Sequence, residues 1–216
     1  MKRKIFLITA IILALSLAMV ACKQGDIGET KAKQIALDNI NKVFQTNQTE
    51  ATATREQMGC YPEQKGAMAT TGDGEFGARW LYIVDIPSIN DARYQAYVVA
   101  STGEVIFLSQ NESYVTLTDE QKLQGEQLLA AESDYGSEHE KAFTLMKDAC
   151  REWAIANLGD AHPILLDASR GRMPEAPARE KFTADYYVVT KDALVYCITM
   201  YWPSMQVLNI DVENPK

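Results

Sequence analysis

Tyr97-Val98-Val99-Ala100-Ser101-Thr102-Gly103-Glu104-Val105-Ile106 is the stretch whose reading decides the fold. Two apolar, β-branched runs flank Ser101-Thr102-Gly103, where glycine supplies the positive φ that a tight reversal needs. The pattern predicts a hairpin of strands 94–100 and 104–108. Upstream, residues 80–86 are aromatic and β-branched and stop at Pro87, which predicts a third strand. Downstream, residues 186–190, 194–201 and 205–212 have the same strand-forming composition, with Pro203 at the turn between the last two.

Helices precede each group of strands. Thr30 opens a pattern that places Ala32, Ile35, Ala36, Ile40, Val43 and Phe44 on one face. Residues 45–57 are polar and Thr-rich and read as a loop; residues 72–77 are dense in glycine. Thr118-Asp119-Glu120-Gln121 is a capping box, predicting a helix that runs to residue 132. Ser137-Glu138-His139-Glu140 is a second one. It opens the clearest helix, with Phe143, Met146, Cys150, Trp153 and Asn157 three and four apart and Gly159 at its close.

The two halves share one grammar. Ala32, Ile35, Ile40 and Val43 align with Ala142, Leu145, Cys150 and Trp153 at a constant offset of 110 residues, and Tyr97-Val98-Val99 then falls opposite Tyr196-Cys197-Ile198. The expected fold is α+β: tandem units, 30–116 and 117–216, each an amphipathic helix packed on a small antiparallel sheet.

The N-terminus carries a different message. Lys2, Arg3 and Lys4 precede an uncharged run, residues 5–21, that ends in Ala18-Met19-Val20-Ala21-Cys22. Seventeen residues fall short of the roughly 20 a spanning helix needs. The segment resembles the lipobox of bacterial lipoproteins, although Met19 stands where that family usually has leucine. The resemblance implies a cleaved signal over 1–21, lipidation of Cys22, and a tether over 22–29 joining the fold to a membrane outside the cytoplasm. Two acyl chains suffice for such an anchor, at about 0.8 kcal/mol per buried methylene.

Removing Lys2, Arg3 and Lys4 from the 21 basic residues leaves 18 against 29 acidic ones, a net charge of −11. Phosphate backbones and anionic headgroups repel such a chain, so nucleic acid is not an expected partner. The hydrophobic content, 47%, allows a real core. Beyond Cys22 remain Cys60, Cys150 and Cys197, an odd number. Cys150 and Cys197 both fall in apolar patterns and read as core thiols, with a Cys150–Cys197 bridge as the alternative under oxidising conditions.

With Lys31-Ala32-Lys33-Gln34-Ile35-Ala36-Leu37 and the hairpin at 97–106 on view, residues 30–110 resemble the PepSY domain of bacterial envelope lipoproteins and metalloprotease propeptides. The helix is similar to that family's opening "eeAkeiAl", and the hairpin to its "yyVdakTGeVl". In the second half Trp202-Pro203-Ser204-Met205 stands where Thr-Gly-Glu-Val would be, so only the helix-plus-meander pattern carries over. The resemblance implies a binding or regulatory module at the cell surface, with restraint of a peptidase within that class. It brings no catalytic residues.

A zinc-protease helix needs two histidines at H-E-x-x-H spacing, and His139-Glu140-Lys141-Ala142-Phe143 supplies one. His162 has only Asp160 nearby. Gly72-Asp73-Gly74-Glu75-Phe76-Gly77 matches G-x-G-x-x-G literally, but its acids would repel a phosphate and a strand pattern follows it. No metal or organic cofactor is expected. Arg170, Arg172, Arg179 and Lys181 gather in a Pro- and Gly-containing loop of an acidic protein, a solvated loop or a docking site for an acidic partner. The sequence reading is a non-enzymatic, lipid-anchored envelope protein that binds or regulates another extracytoplasmic protein. A structural or assembly lipoprotein is the alternative, and a hydrolase ranks last.

Overall fold

A computed structural model of the chain describes residues 25–58, 79–87, 92–130, 135–166 and 181–213. In order, these form α1 (Glu29–Phe44), β1 (Thr52–Met58), β2 (Arg79–Pro87), β3 (Ala92–Val99), β4 (Val105–Gln110), a 3₁₀ turn (Glu112–Tyr114), α2 (Asp119–Ala130), α3 (Tyr135–Leu158), β5 (Ile164–Leu166), β6 (Phe182–Val189), β7 (Val195–Trp202) and β8 (Gln206–Val212).

The protein is α+β, and all eight strands form one sheet in the order β1-β2-β3-β4-β8-β7-β6-β5. Every pairing is antiparallel. The small sheets expected from the sequence are therefore two halves of a continuous one, joined where Phe107, Leu108 and Ser109 pair with Asp211, Ile210 and Asn209. Joining the halves in this way covers what would otherwise be two exposed edges, β4 and β8.

Pairing within the halves keeps a fixed relation. Leu81 pairs with Val99 and Thr183 with Tyr201, each residue 102 further along. Both inner hairpins carry a bulge at the matching place, after Tyr97 and after Thr199. Both turns close with the same bond, Gly103 N–H to Val99 O and Met205 N–H to Tyr201 O, each 2.8 Å. Gly103 and Met205 both have positive φ, 79° and 57°. The strand offset is thus 102, not the 99 implied by setting Tyr97 against Tyr196. Turn chemistry misled the alignment, because Met205 does in the left-handed region what glycine does at position 103.

Strand burial alternates between buried and half-buried, most regularly in β6. Most of the buried side faces the helices, while Leu81 and Val99, and Tyr201 with Leu208 and Leu117, are buried in two smaller separate clusters. α1 contributes Ala32, Ala36, Leu37 and Ile40, and α3 contributes Ala142, Met146, Cys150 and Ala154, to one core with Val84, Ala96, Val98, Val188, Ile198 and Met200. Positions four apart stack on one helix face, and the alanines let the helix backbones approach the sheet. Burial of Ile40, fully inaccessible, contributes about 1.5–3 kcal/mol. Of the helix pairs aligned at an offset of 110, Ala32–Ala142 and Ile40–Cys150 are buried on both sides, whereas Leu145, set against the half-buried Ile35, is 54% exposed. Phe143 and Trp153 are only partly buried and flank this stripe.

Three local expectations change. Residues 52–58, expected to be loop, are edge strand β1; its polar, Thr-rich composition suits an edge and hides the strand. β6 begins at Phe182 rather than at 186, and the short β5 is added at the opposite edge. The Thr118 box forms as expected: the Gln121 N–H donates to Thr118 Oγ1 at 3.2 Å, and the Thr118 N–H to Gln121 Oε1 at 2.9 Å. α3 starts at Tyr135, so Ser137 lies inside it rather than capping it.

Two carboxylates clip the helices to the sheet. Asp26 accepts from the Gly28 N–H, the Tyr82 hydroxyl and Arg55 Nε, at 2.9, 2.8 and 2.8 Å. Asp160 accepts from the His162 and Lys191 amides at 3.0 and 2.7 Å, tying the end of α3 to the β6–β7 turn. Both are held below the ordinary carboxylate range, chiefly by the backbone N–H groups they accept from.

Candidate functional site

α1 and α3 contribute to the core on one side of the sheet, and the other side presents two transverse rows of half-buried side chains. Strand register sets the rows. The first runs Ile83, Tyr97, Phe107, Asp211, Cys197, Tyr187, each paired with the next. The second runs Asp85, Gln95, Ser109, Asn209, Thr199, Asp185 and is polar throughout. Adjacent strands lie about 4.8 Å apart, so each row is about 24 Å long.

Hydrogen bonds fix the ends of the polar row. Gln95 Nε2 donates to Asp85 Oδ1 at 2.8 Å, and Thr199 Oγ1 to Asp185 Oδ1 at 2.7 Å. In the other row the Tyr97 and Phe107 rings stack with centroids 4.5 Å apart. At the centre, Asp211 Oδ1 and Asn209 Oδ1 are buried acceptors with no hydrogen-bond partner. A buried acceptor left unmade costs about 1–3 kcal/mol.

Neither row contains lysine or arginine. Burial, then the neighbouring Glu213, pushes the Asp211 carboxyl up to about 6, and the Val212 amide offsets only part of this. Burial raises the Tyr97 hydroxyl, with Asp85, Glu56 and Asp211 adding to it. Burial and then Asp185 push the Cys197 thiol up to about 12. A thiol that weakly acidic is a poor nucleophile at neutral pH, so the Cys197–Asp211 juxtaposition does not make a thiolate centre. What the rows bring together is buried acceptors beside aromatic rings.

Further concavities among the described residues include these two. One, of about 180 Å³, lies between α1 and α3 and is walled by Lys42, Val43, Trp153 and Leu158. The other, of about 330 Å³, lies against α2 and is lined by Leu117, Lys122, Glu126, Lys181 and Pro203.

Of the residues singled out in the sequence, Lys181 is described: it is exposed, ahead of β6, beside α2. Cys22, Arg170, Arg172 and Arg179 lie outside the described residues, as do Cys60 and residues 72–77. His139 falls within α3, and His162 donates its amide to Asp160. Among the described residues no cluster of histidine, cysteine and carboxylates could hold a metal ion, and no helix is long and apolar enough to cross a membrane. Cys150 and Cys197 are both free. Cys150 belongs to the helix-side core and Cys197 to the opposite face, so the expected alternative of a bridge between them is not formed.

The two rows could not be read without register. Their trace in the sequence is Asn209-Ile210-Asp211-Val212 and Asp185-Tyr186-Tyr187-Val188, where Asn and Asp interrupt runs of strand formers that would otherwise exclude them. Comparison with family models, with curated proteins and with solved structures gives no match.

Proposed function

We propose that the chain is a non-enzymatic, lipid-anchored envelope protein, tethered through Cys22, whose two halves are copies of one PepSY-like unit and which binds or regulates another extracytoplasmic protein. A peptidase is the first partner to test. The observation that carries the reading is the meeting of the two resemblance-bearing segments: a Cβ on Gly103, in the hairpin, would lie 3.0 Å from Ile35 Cδ1, in the helix. The repeat is supported by the equal strand offset, the matching bulges and the identical turn bonds of the two halves.

The arrangement also suits a tether. The Ile27 N–H donates to Ala100 O at 2.8 Å, so the chain enters the fold beside the hairpin turn, five residues after Cys22. The basic residues Arg170, Arg172, Arg179 and Lys181 are proposed to meet acidic groups of the partner.

Cross-linking of the tagged full-length protein in its native envelope, followed by affinity capture, tests the reading. Specific recovery of a peptidase, with inhibition in a purified assay, supports it. Recovery of envelope-assembly machinery favours a structural role, and Cys22→Ala protein that stays with membranes after a high-salt wash removes the lipid anchor.

A further inference from the structure

We infer that the corner where the chain enters the fold, centred on Trp80 and Arg55, rests in the headgroup layer of the membrane that holds the lipid on Cys22. This deepens the anchored reading above and rests on it for the lipidation of Cys22.

Reach brings the corner to the bilayer. A chain spans at most about 3.3–3.6 Å per residue, so Asp26, four residues after Cys22, is held within about 14 Å of it. The headgroup layer of one leaflet is itself about 5–8 Å deep. Asp26 is fixed to the sheet by Arg55 Nε and the Tyr82 hydroxyl, both at 2.8 Å. Beside it the Ile27 N–H donates to Ala100 O at 2.8 Å, and the Ala100 N–H donates to Trp80 O at 2.9 Å. β1, β2 and the β3–β4 turn are therefore all pinned at the point where the tether ends.

The chemistry of the corner suits that layer. Trp80 is 45% exposed, and the Arg55 guanidinium carbon stands 4.1 Å from its ring centroid. An indole has an apolar body and a polar N–H edge, and tryptophan collects where hydrocarbon meets water for that reason. Both cations here are already paired, Arg55 with Asp26 and Lys33 with Glu29, each at 2.8 Å. The contact is therefore made by the ring and not by a free charge, which fits an acidic chain.

The fold does not require this ring to be bare. At the strand offset of 102 the counterpart of Trp80 is Phe182, which is 7% exposed. Phe143 of α3 and Trp202 close over Phe182, with ring centroids 5.3 and 6.0 Å from it. At the helix offset of 110 the residue of α1 set against Phe143 is Lys33. The half that follows the tether thus keeps an aromatic ring at the surface where the other half buries one.

The test takes the full lipidated protein, purified from membranes, into phosphatidylcholine vesicles with and without lipid brominated near the top of its acyl chains. Tryptophan emission is the readout. Brominated lipid should quench it, Trp80→Phe should abolish that loss, and Trp153→Phe should leave it in place. High salt should not restore the emission, because the contact is not ionic. Vesicle-bound protein that is not quenched, quenching that survives Trp80→Phe, or quenching that salt removes overturns the corner and leaves the anchor standing. Protein that carries no lipid on Cys22 and does not sediment with vesicles defeats the anchor and this inference together.

Discussion

The Cδ1 of Ile35 sits 3.0 Å from the point that a Cβ on Gly103 would occupy, and Gly103 itself has a φ of +79°. A Cβ at that position would press on Ile35 of helix α1, whose Cδ1 would have to give way by a few tenths of an ångström. Gly103→Ala should cost about 1–2 kcal/mol for the left-handed backbone, with the contact adding to it. Ile35→Val deletes the offending Cδ1 and should itself cost about 0.5–1.5 kcal/mol. Urea denaturation of both single variants and the double one should show the double variant more stable than additivity allows. Strict additivity would mean that the helix does not bear on the turn.

Within α3, rank order is the prediction. Met146 is fully buried, whereas Trp153 is partly buried at the rim of the groove between the helices. Met146→Ala should lose about 2–5 kcal/mol, the range for emptied core sites, and Trp153→Ala less than that. Because β4 and β8 join the halves into one sheet, both variants should unfold in a single transition seen alike by probes in either half. A second-half transition that leaves the first half folded would show the junction to be weak.

Much of this architecture was legible because the informative residues were local. Trp80 to Ile86, the 97–106 hairpin and the Thr118 capping box each carry their signal within a few positions, and all three appear in the structure. β1 is hidden because Thr52, Thr54 and Glu56 alternate with Ala53, Arg55 and Gln57, so no apolar alternation exists to be read. The two rows on the face opposite the helices are hidden for a different reason. Asp85, Ser109 and Asp185 become neighbours in one row only through the β4–β8 pairing, a contact between residues 102 apart at its centre. Composition along the chain holds no trace of that register.

Asp211 and Asp160 push the pH dependence of stability in opposite directions. Asp211 is raised to about 6 in the folded protein, so between its ordinary range and 6 the folded state holds a proton that the unfolded chain has lost. Its stabilising contribution is full at low pH and disappears as pH rises through 6. Asp160 is lowered, so its contribution is present above the ordinary carboxylate range and is lost as pH falls through its folded value. Asp211→Asn should accordingly be more stable than the parent at pH 7, by about 1 kcal/mol once solvent screening is allowed for. At pH 4 the two should melt alike. Asp160→Ala should be destabilised at pH 7 and least affected in acid. Equal pH profiles for parent and Asp211→Asn would place that carboxylate in water.

The cysteines give the last prediction. A disulfide needs Cβ vectors that converge across a Cα separation of about 4.4–6.8 Å. Cys150 enters the core from α3, while Cys197 stands in the row with Asp211 and Tyr187 on the other side of the sheet. The β7 backbone and its helix-side neighbour Ile198 separate them, so export into an oxidising compartment does not by itself bring the sulfurs together. Exchange also requires a thiolate, and burial pushes both thiols up to about 12. Native protein treated with mild oxidant at pH 8 should yield Cys150 and Cys197 peptides that remain unlinked, and alkylation should be slow until urea is added. Cys197 should then be the faster of the two under partially unfolding conditions, since it is half-buried on the face opposite the helices and Cys150 is fully buried. A Cys150–Cys197 cross-linked peptide from folded protein would contradict the strand register, because moving Cys197 to the helix side takes a one-residue slip of β7 that would also turn Ile198 and Met200 out of the core.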